Sequence, residues 1–240
     1  MILLLLAAAL QLPDEARYDA CVELARTDPV AAREEATRWR IAGGGWFARQ
    51  CAGLAYAQES DWAAAAGEFE AAARAAETGK DEHAAQYWAQ AGNAWLAAGD
   101  GAKARAALDA ALIAGTLTGL QLGEAQLDHA RALVATGALD TARTDIDLAL
   151  TTASDDPLVW LLSATLARRM DDLPRARKDI AEALRRSADD ASVQLEAGNI
   201  AALGHDEAGA RRAWGEAARL APNADAGRSA VAALKQFDPS

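Results

Sequence analysis

The sequence predicts an all-α protein built from stacked antiparallel helix pairs, and three observations carry that expectation. Hydrophobic residues make up 52% of the chain but aromatics only 5%, because much of the apolar content is alanine, the strongest helix former. Residues that favour strands are sparse and never alternate with polar ones over a useful length. The chain also superposes on itself at an offset of 34 residues, from 157 to 191. In that alignment Leu161 lies over Leu195, Ala176 over Ala210, Ile180 over Trp214 and Ala183 over Ala217. One step upstream, Leu127, Ala130, Leu133, Ala142, Ile146 and Ala149 continue the register.

The elements follow in chain order. Residues 1–12 hold an apolar block from Ile2 to Leu10 with Ala7, Ala8 and Ala9 inside it. This pattern reads either as a secretory leader cleaved near Ala9 or as the start of a first helix. Residues 13–45 form a degenerate hairpin. Its first helix runs through Tyr18 and Leu24, Asp28 and Pro29 break it, and a second runs through Ala32, Ala36 and Trp39. Pro29 suits a first helical turn, where its missing N–H costs little. Gly43 to Gly45 connect to five repeats at 46–79, 85–118, 123–156, 157–190 and 191–224. The extra residues Lys80–Ala84 and Gly119–Leu122 lengthen a neighbouring helix. Residues 225–240 supply a capping helix and tail, since the last unit of a stack has only one neighbour.

Within each repeat a small residue marks where the two helices come closest. Gly53, Gly92, Ala130, Ala164 and Gly198 do so on first helices, facing Ala65, Ala104, Ala142, Ala176 and Ala210 on second helices. Large residues must fill the adjacent space. Tyr56, Trp95 and Leu133 are placed to do so from first helices, and Phe69, Leu108, Ile146, Ile180 and Trp214 from second helices. Gly99, Asp100 and Gly101 then read as the turn between two helices and not as a ligand loop. Asp155–Asp156, Asp171–Asp172 and Asp189–Asp190 recur at helix junctions, where carboxylates cap N-termini and complement the dipole.

Catalytic constellations are missing. The histidines, His83, His129 and His205, are more than forty residues apart, and none has a partner at metal-ligand spacing. No metal, cofactor or small-molecule substrate is expected, and the chain reads as no enzyme. A net charge of −11 repels phosphate backbones and argues against nucleic acid. After the first dozen residues no apolar run approaches the roughly 18 to 20 needed to span a bilayer. In an exported protein Cys21 and Cys51 would pair as a disulfide; otherwise they are two buried thiols.

The repeats resemble the tetratricopeptide family, whose 34-residue pattern places tryptophan, leucine-glycine and tyrosine in one helix and alanine, phenylalanine and proline after it. Trp88, Ala91, Gly92, Trp95, Ala104 and Leu108 carry the likeness in one unit, and Ala197, Gly198, Ala210, Trp214, Ala217 and Pro222 in another. The resemblance implies a right-handed superhelical solenoid whose first helices line a groove for a protein or peptide partner. Carried onto this chain, the groove positions include Phe47, Leu54, Leu127, Leu161 and Leu195, with the polar Gln50, Gln86, Asn93, Arg131, Thr165, Arg168, Arg169 and Asn199. Arg131, Arg168 and Arg169 read either as a local positive patch or as a solvated face paired with nearby acids. The lysine of the family's carboxylate clamp is not reproduced, since Ala89, Leu127 and Leu161 stand where it would be sought. The expected role is a scaffold, in the bacterial periplasm if the leader is cleaved and in the cytoplasm as a regulator or co-chaperone if it is not.

Overall fold

The computed structural model describes residues 14–237, which form thirteen α-helices. The apolar block at residues 2–10 lies outside the described residues. The chain divides into two compact units, one ending at Leu117 and the other beginning at Thr118.

The first unit contains α1 (Asp14–Thr27), α2 (Pro29–Ile41), α3 (Gly45–Gln58), α4 (Trp62–Gly79), α5 (Ala84–Ala97) and α6 (Gly101–Ala114). The second contains α7 (Gly119–Ala135), α8 (Leu139–Thr152), α9 (Pro157–Arg169), α10 (Leu173–Arg186), α11 (Ala191–Leu203), α12 (Glu207–Leu220) and α13 (Asp225–Phe237). In each unit consecutive helices pack as pairs, and each pair stacks on the next. Gly119–Leu122 become the first turn of α7, but Lys80–Ala84 do not lengthen a helix as expected: α4 ends at Gly79, Lys80 caps it in the left-handed conformation, and only Ala84 joins α5.

One turn geometry recurs between paired helices. Ser60, Gly99, Gly137, Asp171 and His205 each adopt a positive φ, between 60° and 84°. Such a residue lets the chain leave one helix and reverse within two residues. Four of the five are followed at once by an aspartate N-cap. Asp61, Asp100, Asp172 and Asp206 accept hydrogen bonds from the backbone N–H groups of Ala64, Lys103, Arg175 and Gly209. Asp28, Asp156 and Asp190 cap α2, α9 and α11 in the same way. In the acidic pairs at 155–156, 171–172 and 189–190, the second aspartate is the cap.

The predicted close approaches are made. Ala65, Ala104, Ala142, Ala176 and Ala210 are all fully buried. A Cβ at Gly53, Gly92 or Gly198 would overlap Phe69, Leu108 or Trp214 respectively. Phe69, Leu108, Leu133, Ile146, Ile180 and Trp214 are buried. Tyr56 and Trp95, expected as core anchors, are only partly buried. Trp95 Nε1 donates to Glu70 at 2.7 Å while Lys103 lies 4.1 Å above its ring, and Arg33 sits 5.0 Å over Tyr56. Polar-tipped aromatics settle where one end is apolar and the other wet, and both rings do so here.

In the first unit α1 is tied to α3 by a disulfide between the buried Cys21 and Cys51, with Cα atoms 6.0 Å apart. Around it Trp39, Ala36 and Ala48 form a small core to which Tyr18 and Phe47 add. In the second unit Trp214 packs edge-on against Phe237 of α13, with ring centroids 5.3 Å apart.

Candidate partner-binding faces

The first helices of the pairs carry every groove position inferred from the repeat register: α3 and α5 in the first unit, and α7, α9 and α11 in the second. The structure separates these positions into those committed to the protein itself and those open to solvent.

In the first unit Gln50 is buried and its amide donates to Gln90 Oε1 at 3.1 Å, so it ties α3 to α5. Phe47 stacks on Trp39 with its ring centroid 6.4 Å away and contacts Tyr18 and Trp46, while Leu54 packs against Ala25, Ala32 and Ala55. Gln86 is partly buried and Asn93 is exposed. Nearby, the buried Tyr87 has its phenol pKa pushed up to about 12, chiefly by desolvation, with the Asp81 charge adding to it. That hydroxyl stays protonated and can donate.

In the second unit the second of the two arginine readings, pairing with nearby acids, describes Arg168 and Arg131. Glu196, almost wholly buried, accepts from Arg168 Nε at 2.6 Å and Nη2 at 3.1 Å. The same carboxylate accepts from the Asn199 amide at 3.1 Å, and Asn199 Oδ1 in turn accepts from Trp214 Nε1 at 3.1 Å. Arg168 and Asn199 therefore belong to an internal network joining α9, α11 and α12, because a buried carboxylate needs its charge and lone pairs matched. Arg131 is exposed and donates to Asp128, one turn away, at 2.7 Å. Arg169 is exposed and takes part in no ion pair among the described residues. Of the three guanidinium groups, that of Arg168 is held by Glu196 through two of its nitrogens, that of Arg131 pairs within its own helix, and that of Arg169 is in no ion pair among the described residues.

Leu127 lies in the core, and Leu161 and Leu195 pack against core clusters. What the face offers instead is a pocket of about 120 Å³ between α7, α8 and α9. Ala130, Val134, Ile146, Leu162 and Leu166 form its walls, and Arg131, Thr165 and Arg169 stand with them. The register pointed to those three polar residues, but it did not indicate that they share one cavity. Val134 and Leu162, between the polar positions on the same helices, carried no signal of their own, since an apolar residue beside a groove looks like any core residue.

A second polar cluster lies deeper. Ser163 donates to Asp179 at 2.5 Å, Arg175 bridges Asp179 and Asp147, and Arg143 donates to Asp147 at 2.8 Å. Burial pushes the Arg143 pKa down while Asp147 supports its charge. One repeat earlier the place of Ser163 and Asp179 is taken by His129 and Asp145, 2.6 Å apart. Ser163 and Asp179 are almost inaccessible, which makes these clusters ties between helices. Among the described residues no group of His, Cys, Asp or Glu is arranged to hold a metal ion, and no helix is long and apolar enough to cross a membrane.

No protein-family model matches the sequence, and neither does any curated protein. Solved structures do. PilF of Pseudomonas aeruginosa is 15% identical, with 92% of this chain and 99% of that chain covered at a TM-score of 0.71. PilW, a type IV pilus biogenesis factor, is 15% identical, covering 91% and 98%, at 0.75. YrrB, a tetratricopeptide-repeat protein with an unusual peptide-binding site, is 16% identical, covering 93% and 100%, at 0.58. Identities this low speak to architecture alone. Paired helices, small residues at each close approach and an Asp-capped turn in each of four repeats agree with that likeness, and this chain has the tetratricopeptide-repeat fold.

Proposed function

We propose that this protein is a non-enzymatic scaffold that holds a partner polypeptide against the first helices of its repeats. The observation that carries the reading is the pocket between α7 and α9, an apolar cavity with two guanidinium groups and a hydroxyl among its lining residues. Sites of this kind bind by burying an apolar group and orienting it with few polar contacts. That YrrB has a peptide-binding site on the same fold supports the reading.

The place of action proposed is the bacterial periplasm. The apolar block at residues 2–10 and the Cys21–Cys51 pairing support it, since disulfides persist in oxidising compartments.

Two measurements test these proposals. A photo-crosslinking residue placed at Asn93 or Arg169 should trap a discrete polypeptide in the native host, and the same residue at Arg105 of α6 or Leu148 of α8 should not. Equal yields from all four positions would sink the inner-face reading. For location, the mature protein should begin near Leu10 or Gln11 and contain no free thiol, whereas an intact Met1 with two free thiols would place it in the cytoplasm.

A further inference from the structure

We infer that the pocket between α7 and α9 receives one aliphatic side chain of a partner peptide, flanked on both sides by acidic residues. This deepens the inner-face reading and rests on it. Its volume of about 120 Å³ is slightly below the roughly 150 Å³ of a dry cavity that accommodates benzene. A leucine, isoleucine or valine side chain fits that space and an indole does not. The walls contributed by Ala130, Val134, Ile146, Leu162 and Leu166 offer such a group contacts and no unsatisfied polar partner.

Charge sets what flanks it. Arg131 stands on α7 and Arg169 on α9, so each of the two first helices bordering the pocket presents one cation, while α8 presents only Ile146. Arg169 has no ion-pair partner among the described residues. Arg131 donates through Nη1 to Asp128 one turn away while its own side chain stays 42% exposed, and a guanidinium has further N–H donors for a ligand carboxylate. A cation on each side matches an internal acidic–aliphatic–acidic sequence, whereas a single terminal carboxylate would answer only one of them. Thr165, one turn before Arg169 on α9 and also lining the pocket, can donate to or accept from the peptide backbone. The net charge of −11 does not prevent this, since screening over about 8–10 Å leaves the nearest charges dominant.

Three acetylated and amidated heptapeptides, added to the full chain, test the inference: one with an Asp-Leu-Asp centre, one with Lys-Leu-Lys and one with Asp-Ala-Asp. The Asp-Leu-Asp peptide should shift the methyl resonances of Val134 and Leu162, and the other two should bind about tenfold or more weakly. Arg169→Glu, at an exposed position, should weaken the Asp-Leu-Asp peptide and strengthen the Lys-Leu-Lys one. Equal affinity for all three peptides, or no response at those methyls, overturns the inference. If the methyls stay silent while crosslinking from Arg169 persists, the pocket assignment falls and the inner-face reading stands; loss of both removes both.

Discussion

Gly92 shows how one residue sets the geometry of a repeat. Any Cβ there meets Leu108 of the facing helix, and Gly198 stands in the same relation to Trp214. Gly92→Ala is expected to destabilise the fold by about 1–3 kcal/mol through overpacking. At Gly215, inside α12, an added Cβ would meet nothing within 4 Å, so Gly215→Ala should stabilise by about 0.5–1 kcal/mol. Urea midpoints of the two variants moving in opposite directions would bear this out; two losses of equal size would refute the assigned close approach. Arg168 teaches the complementary lesson. Reversing its charge would set a second carboxylate against the buried Glu196, so lost binding in that variant would report damage to the fold. Arg169 is exposed and outside every ion pair among the described residues, so its replacement leaves the packing intact.

At the scale of elements, α1, the first described helix, is joined to α2 and α3 by specific side-chain ties. Besides the Cys21–Cys51 bond, it is held by Arg17, whose guanidinium lies 5.1 Å over the Trp39 ring and donates twice to Glu35 of α2. Partial burial works to raise the Glu35 pKa, but hydrogen bonds from Arg17 and Arg38 outweigh it and hold the carboxyl below its usual range. A carboxylate lowered in this way contributes stability above its unfolded pKa and loses it as pH falls through the folded value. Stability should therefore decline below about pH 4.3, the ordinary glutamate value, and Glu35→Gln should flatten that part of the decline. Urea titrations between about pH 3 and 7 span that window and check it, and identical slopes for the two proteins would show that the pair contributes nothing. The recurring left-handed residue followed by an aspartate cap belongs to this scale too. It was legible in sequence at Gly99–Asp100 and Asp171–Asp172, although Ser60 and His205 at the same place gave no warning of a positive φ.

At the scale of the whole chain, stability in a repeat array comes from each unit and its immediate neighbours. In the second unit the last pair, α11 and α12, is closed by α13, with Trp214 at the junction of all three through Gly198, Asn199 and Phe237. Trp214→Ala should cost about 3–5 kcal/mol, and its effect should be graded along that unit. Hydrogen exchange is expected to accelerate most in α11 to α13 and least in α7 and α8. Uniform acceleration across the second unit would argue for a single cooperative block.

Helix content, pairing and register were all determined by the sequence. Alanine and glycine at each close approach, Asp-Pro and Asp-Gly junctions, and the repeat itself are local signals, and repetition multiplies each of them. Which inner-face side chains remain available was decided only by tertiary structure. Gln50 finds Gln90 from 40 residues away, Arg168 finds Glu196 from 28, and Asn199 finds Trp214 from 15. Those partnerships follow no common spacing, because they depend on how far each helix rotates against its neighbour. The same rotation gathers Arg131, Thr165 and Arg169 around one apolar cavity, which no pattern along the chain could have disclosed.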